Sequence, residues 1–152
     1  MNLLKINFLI FILISSVVYG QNYNIDQHLD KIPSSFELIG ISSKDNSKIY
    51  RYKESFPTTV FSFDVDKYEI KIHKNIIVGL HFVLLPKDKN NNVPYTLIDK
   101  VSQKSGIKPI FKNSKYYFDD ITSKTQIFRQ YIPDYGGDRI HIMITSTKYL
   151  YK

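Results

Sequence analysis

Apolar and polar residues alternate through much of the stretch between Phe36 and Leu85, and clusters of turn-forming residues separate the alternating runs. A period of two is typical of strands with one buried and one hydrated face, because successive side chains point to opposite sides of a sheet. Short runs of this kind between turn residues indicate antiparallel hairpins. The pattern predicts a meander with strands near 36–42, 48–53, 59–65, 68–73 and 76–85, and turns at 44–47, 55–57, 66–67 and 74–75.

The last of these runs, IIVGLHFVLL at 76–85, is apolar at positions that would face both sides of the sheet. A strand with two apolar faces needs a covering layer on each side. We therefore expect this run to be the central strand, with a helix on one side and a neighbouring layer or a partner on the other. Gly79 within the run predicts a bulge or a close approach at this position.

One helix is predicted between Pro94 and Gly106. Leu97, Ile98 and Val101 are spaced so that they fall on one helical face. Proline early in a helix and glycine just past its end is the expected order of these two residues. We expect this helix to cover the sheet.

A second, short helix is predicted immediately before the first strand. Asn24 is a suitable N-cap, Gln27 follows it at the capping-box spacing, and Pro33 would end the helix. The residues that would share one helical face are Ile25, His28, Leu29 and Ile32. So short a helix is marginal alone and would have to dock on the rest of the domain.

Strand patterns return after the main helix, near 108–112, 115–119, 126–132 and 139–149, with a hairpin turn at 133–138. Strands, then a helix, then strands again is the order of an α+β domain. The sequence therefore predicts an α+β fold that is mostly an antiparallel β-sheet meander, with one covering helix and a short N-terminal helix. We expect residues 21–152 to form a single domain, since this length suits one core.

Residues 1–20 have the layout of a secretory signal peptide. Lys5 precedes a mostly apolar run over 6–14, and small or permissive residues follow before Gln21. The run is shorter than the ~20 apolar residues of a membrane-spanning helix. We expect cleavage near Gly20 and Gln21 and export to the periplasm or beyond, with an uncleaved anchor as the alternative. Because the chain has no cysteine, we expect neither disulfides nor an acylated cysteine. We also expect no membrane span after signal removal.

Charge and aromatic content bear on the partner. The formal net charge is +7, but the lysines are scattered among acids with no basic run, which disfavours a nucleic-acid site and leaves an anionic polymer open as a partner.

The chain also contains 12 Tyr and 10 Phe. Tyrosine and arginine are common binding anchors, so Tyr116, Arg129 and Tyr131 are predicted to form an aromatic and cationic surface for a glycan or a peptide. Alternation on the strands would place part of such a surface in the core instead.

The segment from Asp88 to Asp99 is the strongest candidate for a metal site. Asp88, Asn90, Asn92 and Asp99 follow the ligand spacing of a calcium loop. Val93 stands where that loop requires glycine, and an Asn-rich stretch is also the usual composition of a solvated connector. The four histidines, at 28, 73, 81 and 141, form no local pair, so we expect no zinc site and no cofactor.

Three pairs of carboxylates could in principle divide acid and base roles: Asp64 with Asp66, Asp119 with Asp120, and Asp134 with Asp138. All three fall at strand ends or turns, where Asp is favoured for local hydrogen bonding. No nucleophile elbow or phosphate loop is present in the sequence.

The leading hypothesis is a small exported, non-enzymatic domain that binds a protein or an anionic polymer. The alternatives are a hydrolase with a paired-carboxylate site near Asp64 and Asp66, and a calcium-binding module at 88–99.

Overall fold

The computed structural model describes residues 23–54, 59–87 and 92–149. The fold is α+β and mostly antiparallel sheet, as predicted. No helix in the described part of the chain is long and apolar enough to cross a bilayer. The elements in chain order are β1 (Phe36–Ile41), β2 (Lys48–Tyr52), β3 (Thr59–Val60), β4 (Phe63–His73), β5 (Ile76–Leu84), α1 (Tyr95–Ser105), β6 (Ile110–Lys112), β7 (Lys115–Asp119), β8 (Ser123–Ile132) and β9 (Gly137–Ser146).

The sheet consists of two meanders that meet in the middle. Its strand order is β1-β2-β4-β5-β9-β8-β7-β6, and the short β3 pairs with β4 off this path. The pairs are all antiparallel. The N-terminal meander contributes β1 to β5 and the C-terminal meander β6 to β9, so that β5 and β9 form the junction. The prediction that the doubly apolar run is the central strand is confirmed.

One face of the sheet carries the core, and α1 packs into it. Leu97, Ile98 and Val101 of the helix are buried in the same cluster as the inward-facing strand residues. Each such side chain stabilises the fold by roughly 1.5–3 kcal/mol relative to exposure. The helix ends where predicted, because Gly106 adopts φ 69° and its N–H donates to the Ser102 carbonyl. The opposite face of the sheet, which α1 does not cover, is called the outer face below.

The predicted turn at Asp66 and Lys67 is wrong. β4 continues through these residues with a bulge, because Val65 pairs with Leu84 and Lys67 pairs with Val83, which leaves Asp66 as the extra residue. The chain instead reverses at Phe61 and Ser62, both with positive φ. A bulge and a turn both shift the phase of a period-two pattern, so the sequence alone did not distinguish them. The predicted turn at 74–75 is confirmed, and the one at 55–57 lies outside the described residues.

The predicted short N-terminal helix is also wrong, since residues 23–35 form turns and a single β-bridge. The expected contact is present: the Gln27 side chain accepts a hydrogen bond from the Asn24 N–H at 2.9 Å. Asp26, however, has φ 65°, which is incompatible with a helix. Backbone hydrogen bonds to the β4–β5 hairpin, such as Leu29 N–H to the Asn75 carbonyl at 2.8 Å, replace those of a helix.

Gly79 in β5 lies beside a bulge, as predicted, and the Lys71 side chain approaches it closely. Lys71 pairs with Gly79 and Ile72 pairs with Ile77, so Val78 is the extra residue. A Cβ at Gly79 would lie 3.2 Å from the Cβ of Lys71, closer than ordinary packing allows. Gly79 is one of the residues that line a depression of about 120 Å³ on the outer face.

Candidate functional site

Exposed aromatic side chains gather beside the start of α1. Tyr95, the first residue of the helix, is 73% exposed, and Phe111 on the edge strand β6 is 62% exposed. The Phe111 ring lies 4.7 Å from that of Tyr116 on β7, with the planes tilted by 45°. Burial, the neighbouring Tyr95 phenol and a hydrogen bond to it raise the pKa of Tyr116. We call Tyr95, Phe111 and Tyr116 the aromatic surface.

The three binding residues predicted from the sequence occupy one side of the sheet. Tyr116 pairs with Ile127, and residues 127, 129 and 131 of β8 point to the same side because they alternate. Only Tyr131 is well exposed, at 64%. The Arg129 side chain is 4% exposed and donates to the Asp138 carboxylate at 3.2 Å and the Asn92 carbonyl at 3.3 Å. Arg129 therefore links β8 and β9 to the segment before α1.

The predicted calcium ligands are only partly within the described residues. Asp88 and Asn90 lie outside them. Asn92 uses its main-chain carbonyl to accept from Arg129, and Asp99 is exposed in the first half of α1. Val93, at the position where a calcium loop needs glycine, is buried. Among the residues that can be described, no group of three or more His, Cys, Asp or Glu side chains is placed to hold a metal ion.

The paired carboxylates engage in local structure where their contacts are known. Asp66 accepts from Arg139 at 2.8 Å, whereas Asp64, two residues away, is exposed. The Asp120 carboxylate accepts from the N–H groups of Thr122 and Ser123, at 2.6 and 2.8 Å, and so closes the turn before β8. These contacts are those of turns and surface ion pairs.

A chain of polar side chains that sequence reasoning missed crosses the outer face. The Glu69 carboxylate on β4 accepts from Arg51 at 2.7 Å through Oε1 and from His81 Nδ1 at 3.0 Å through Oε2. His81 Nε2 in turn lies 2.9 Å from His141 Nδ1. His141 is 4% exposed, and its Nε2 is buried without a hydrogen-bond partner. We call Glu69, His81 and His141 the Glu–His–His chain.

The two imidazoles face each other edge to edge. Their ring centres are 5.1 Å apart and their planes differ by 19°. Because the bonded nitrogens are 2.9 Å apart, the separation of the centres nearly equals that distance plus the two ring radii, which is the largest value it can have. Both nitrogens must therefore point along the line between the rings, as in a linear N–H···N hydrogen bond. Lone pairs aimed at each other do not converge on a common metal ion as the ligands of a tetrahedral site do.

The surroundings set the protonation of this chain. Burial alone raises the pKa of Glu69, but hydrogen bonds from His81 and Arg51 and their charges outweigh it and lower that pKa to about 2. Burial lowers the pKa of His141 to about 4, with the neighbouring His81 as the next cause. Glu69 is thus a carboxylate at neutral pH and His141 is neutral, so that His81 Nδ1 donates its proton to Glu69.

Aromatic and cationic groups close the far end of the chain. The Phe128 ring lies parallel to that of His141, with centres 4.9 Å apart, and Lys115 Nζ sits 4.4 Å from the Phe128 ring centre. The depression beside Gly79 adjoins the other end and is lined by Glu69 and His81 but not by His141. Both histidines occupy outward positions in predicted strands. Their contact depends on the pairing of β5 with β9, which the sequence pattern does not indicate.

Comparison with known proteins gives no relative from which to transfer a function: no protein-family model, curated protein or solved structure matches this chain.

Proposed function

We propose that this chain is a small exported, non-enzymatic domain that binds an extended segment of a protein partner along β6 and the aromatic surface. The observation that carries the proposal is the character of β6. All three of its side chains are exposed, with Ile110 at 67% and Phe111 at 62%. Among the described strands β6 pairs only with β7, so its other edge is open to a further strand.

An open edge and exposed apolar side chains together favour a polypeptide ligand. The main-chain N–H and C=O groups of an edge strand can pair with an added strand, and neighbouring side chains then select among sequences. Tyrosine at such a surface contributes a large contact area with a polar end, which suits a binding anchor. Tyr95 and Tyr116 supply this chemistry next to Phe111, and Tyr131 extends the same side of β8.

An anionic polymer is the competing partner. Lys108 and Lys112 flank the apolar residues of β6 and are both exposed. Binding through these lysines would weaken steeply with salt and would depend on charge rather than on the Phe111 ring. The two partners can therefore be separated by variant and by ionic strength.

The absence of catalysis is part of the proposal, and the Glu–His–His chain supports it. A carboxylate that orients an imidazole is also found in general-base sites. Here the imidazole nitrogen that would act on a substrate, His81 Nε2, faces His141, and His141 Nε2 is buried. A general base must reach the proton it removes, and neither nitrogen is accessible in this arrangement.

Export rests on the sequence of residues 1–20, which lie outside the described residues. The layout of that segment supports removal of a signal peptide between Gly20 and Gln21. Mass spectrometry of the protein from its native host tests this: the exported species should begin at Gln21. Recovery of the chain from the cytosol with Met1 to Gly20 attached would contradict the proposal.

The binding proposal is tested with a displayed library of random linear peptides. Peptides enriched on the immobilised mature protein are measured by calorimetry against the wild type, Phe111→Ala and Ile41→Ala. Ile41 is the matched control, since it is 62% exposed on β1, at the opposite edge of the sheet. Loss of a central aromatic anchor should weaken binding by about 30-fold, corresponding to ~2 kcal/mol, whereas Ile41→Ala should leave the affinity unchanged.

Two outcomes would contradict a peptide ligand. One is a library that yields no peptide whose affinity depends on Phe111. The other is salt-sensitive binding of polygalacturonate that Lys108→Ser and Lys112→Ser abolish and Phe111→Ala leaves intact, which would identify an anionic polymer instead.

A further inference from the structure

The Glu–His–His chain lies across the junction between the two meanders. His81 belongs to β5 and His141 to β9, the strands through which the N-terminal and C-terminal halves of the sheet meet. The bond between them is diagonal, because His81 pairs in register with Met143 and His141 with Val83. Glu69 on β4 anchors the N-terminal end. A change in this chain therefore acts on the contact between the halves of the molecule.

The linear contact between the imidazoles depends on the number of protons that the two rings carry. A hydrogen bond between His81 Nε2 and His141 Nδ1 requires one proton on the line between these nitrogens. With His81 Nδ1 already protonated toward Glu69, the neutral pair carries the shared proton on His141 Nδ1, which donates it to His81 Nε2. One further proton has no favourable site here: on His81 Nε2 it makes two N–H groups point at each other 2.9 Å apart, and on His141 Nε2 it is buried without a hydrogen-bond partner.

We propose that the Glu–His–His chain is a proton-controlled latch, in which the single proton between His81 and His141 holds β5 to β9 and the uptake of a second proton releases the junction. The latch is independent of the binding proposed for β6, which lies at the edge of the sheet. An exported protein meets external pH directly, so a latch of this kind would couple the acidity of the surroundings to the opening of the sheet.

At neutral pH, the surroundings of His141 favour the closed state, in which one proton lies between His81 and His141. Glu69 on β4 is the anion that faces the chain. The cationic and titratable groups that face it from the neighbouring strands are Arg51 on β2, Lys67 on β4, His81 on β5, Lys115 on β7 and Arg139 on β9. Burial opposes a further positive charge on His141 most strongly. The neighbouring His81, Arg139 and Lys115 act in the same direction, and Glu69 acts against them. In the open junction His141 is hydrated and regains the ordinary affinity of histidine for a proton.

Opening is therefore driven by one extra proton. Between about pH 6.5, the ordinary histidine pKa, and about pH 4, the pKa of His141 in the closed state, the open junction binds one more proton than the closed one. Within this window the equilibrium constant for opening should rise about tenfold for each pH unit lost.

Native-state hydrogen exchange on the whole mature protein tests this. Protection factors of the β5 and β9 amides, such as those of Phe82 and Ile142, should fall about tenfold per pH unit between about pH 6 and about pH 5. Amides of the β1–β2 hairpin should change much less. His141→Gln should remove the pH dependence at the junction, and His28→Gln, which alters an exposed histidine outside the chain, should retain it.

Nitrogen-15 NMR of the wild type decides the question even if His141→Gln does not fold. Coupling across the hydrogen bond between His81 Nε2 and His141 Nδ1 should be visible at pH 7 and should vanish as the second proton binds. The latch is refuted if no coupling is seen at pH 7, or if junction and β1–β2 amides lose protection in parallel. It is also refuted if a folded His141→Gln variant keeps the full pH dependence of the wild type.

Discussion

At the scale of single residues, stability depends on a row of apolar side chains that crosses the sheet. Phe82, Ile142 and Ile127 are paired in register on three adjacent strands, and each is at most 1% exposed. Since these side chains face α1 and the N-terminal segment, nothing can relax fully into the space left by a truncation. The row is the part of the core where side-chain volume is expected to matter most.

Ile142→Ala should lower the free energy of unfolding by about 2–5 kcal/mol, because it removes buried carbon atoms and leaves a cavity. Urea unfolding of the mature protein at pH 7 measures this loss. Ile121→Ala is the control, since Ile121 is 83% exposed and its truncation should change stability by less than about 0.5 kcal/mol. Equal effects of the two substitutions would show that the row is not part of the core.

Glu69 contributes through its charge. Its pKa of about 2 lies below the ordinary value of 4.5, so the folded state favours the carboxylate. The ionised Glu69 contributes about 3 kcal/mol to the free energy of unfolding above about pH 4.5, and this contribution is lost as the pH falls toward about 2. Glu69→Gln should therefore destabilise the protein at pH 7 and flatten its stability profile between these values.

Unfolding midpoints in urea from about pH 5 to about pH 2 measure the effect of Glu69→Gln. Glu54→Gln, which alters an exposed carboxylate after β2, is the matched control and should follow the wild type. A Glu69→Gln variant that remained parallel to the wild type throughout this range would refute the assignment.

At the scale of elements, Gly106 at the end of α1 can be compared with Gly40 in β1, because both glycines lie in open space. A Cβ would meet nothing within 4 Å at either Gly106 or Gly40, but only Gly106 has a positive φ, of 69°. Gly106→Ala should destabilise by ~1 kcal/mol, because an L residue in this conformation is strained. Gly40→Ala should be neutral or slightly stabilising, since it restricts the unfolded chain.

Thermal unfolding of both glycine variants checks the comparison, since the two differ in backbone conformation rather than in available space. A loss of stability in Gly40→Ala that matched the loss in Gly106→Ala would contradict the explanation from φ.

β6 offers a second test at this scale. Because Phe111 is 62% exposed, Phe111→Ser should change the free energy of unfolding by less than about 0.5 kcal/mol. Chemical denaturation measures this value. A loss of several kcal/mol would mean that the ring supports the fold, and the binding role proposed for it would lose its basis.

At the scale of the whole molecule, acid should destabilise the fold in two successive stages. His141 has a folded pKa of about 4, below its ordinary 6.5, so protonation favours the unfolded chain as the pH falls through this interval. Glu69 acts in the lower interval, from about 4.5 to about 2. A plot of unfolding free energy against pH should therefore decline from near neutrality downward, and His141→Gln should remove the upper stage. A profile that is flat from pH 7 to pH 4 would contradict the values assigned to His141.

The sequence by itself determined the class of most elements. Hairpin strands, the helix that ends at Gly106 and the central strand at 76–84 were predictable, because alternation, helical spacing and turn chemistry act between residues close in the chain. Tertiary structure decided the features that depend on distant partners. Residues 23–35 do not form the predicted helix, because their backbone groups form hydrogen bonds with the β4–β5 hairpin instead. Asp66 forms a bulge rather than a turn, because β5 continues opposite it. His81 and His141, sixty positions apart, met only because β5 pairs with β9, a choice between sheet orders that no local pattern records.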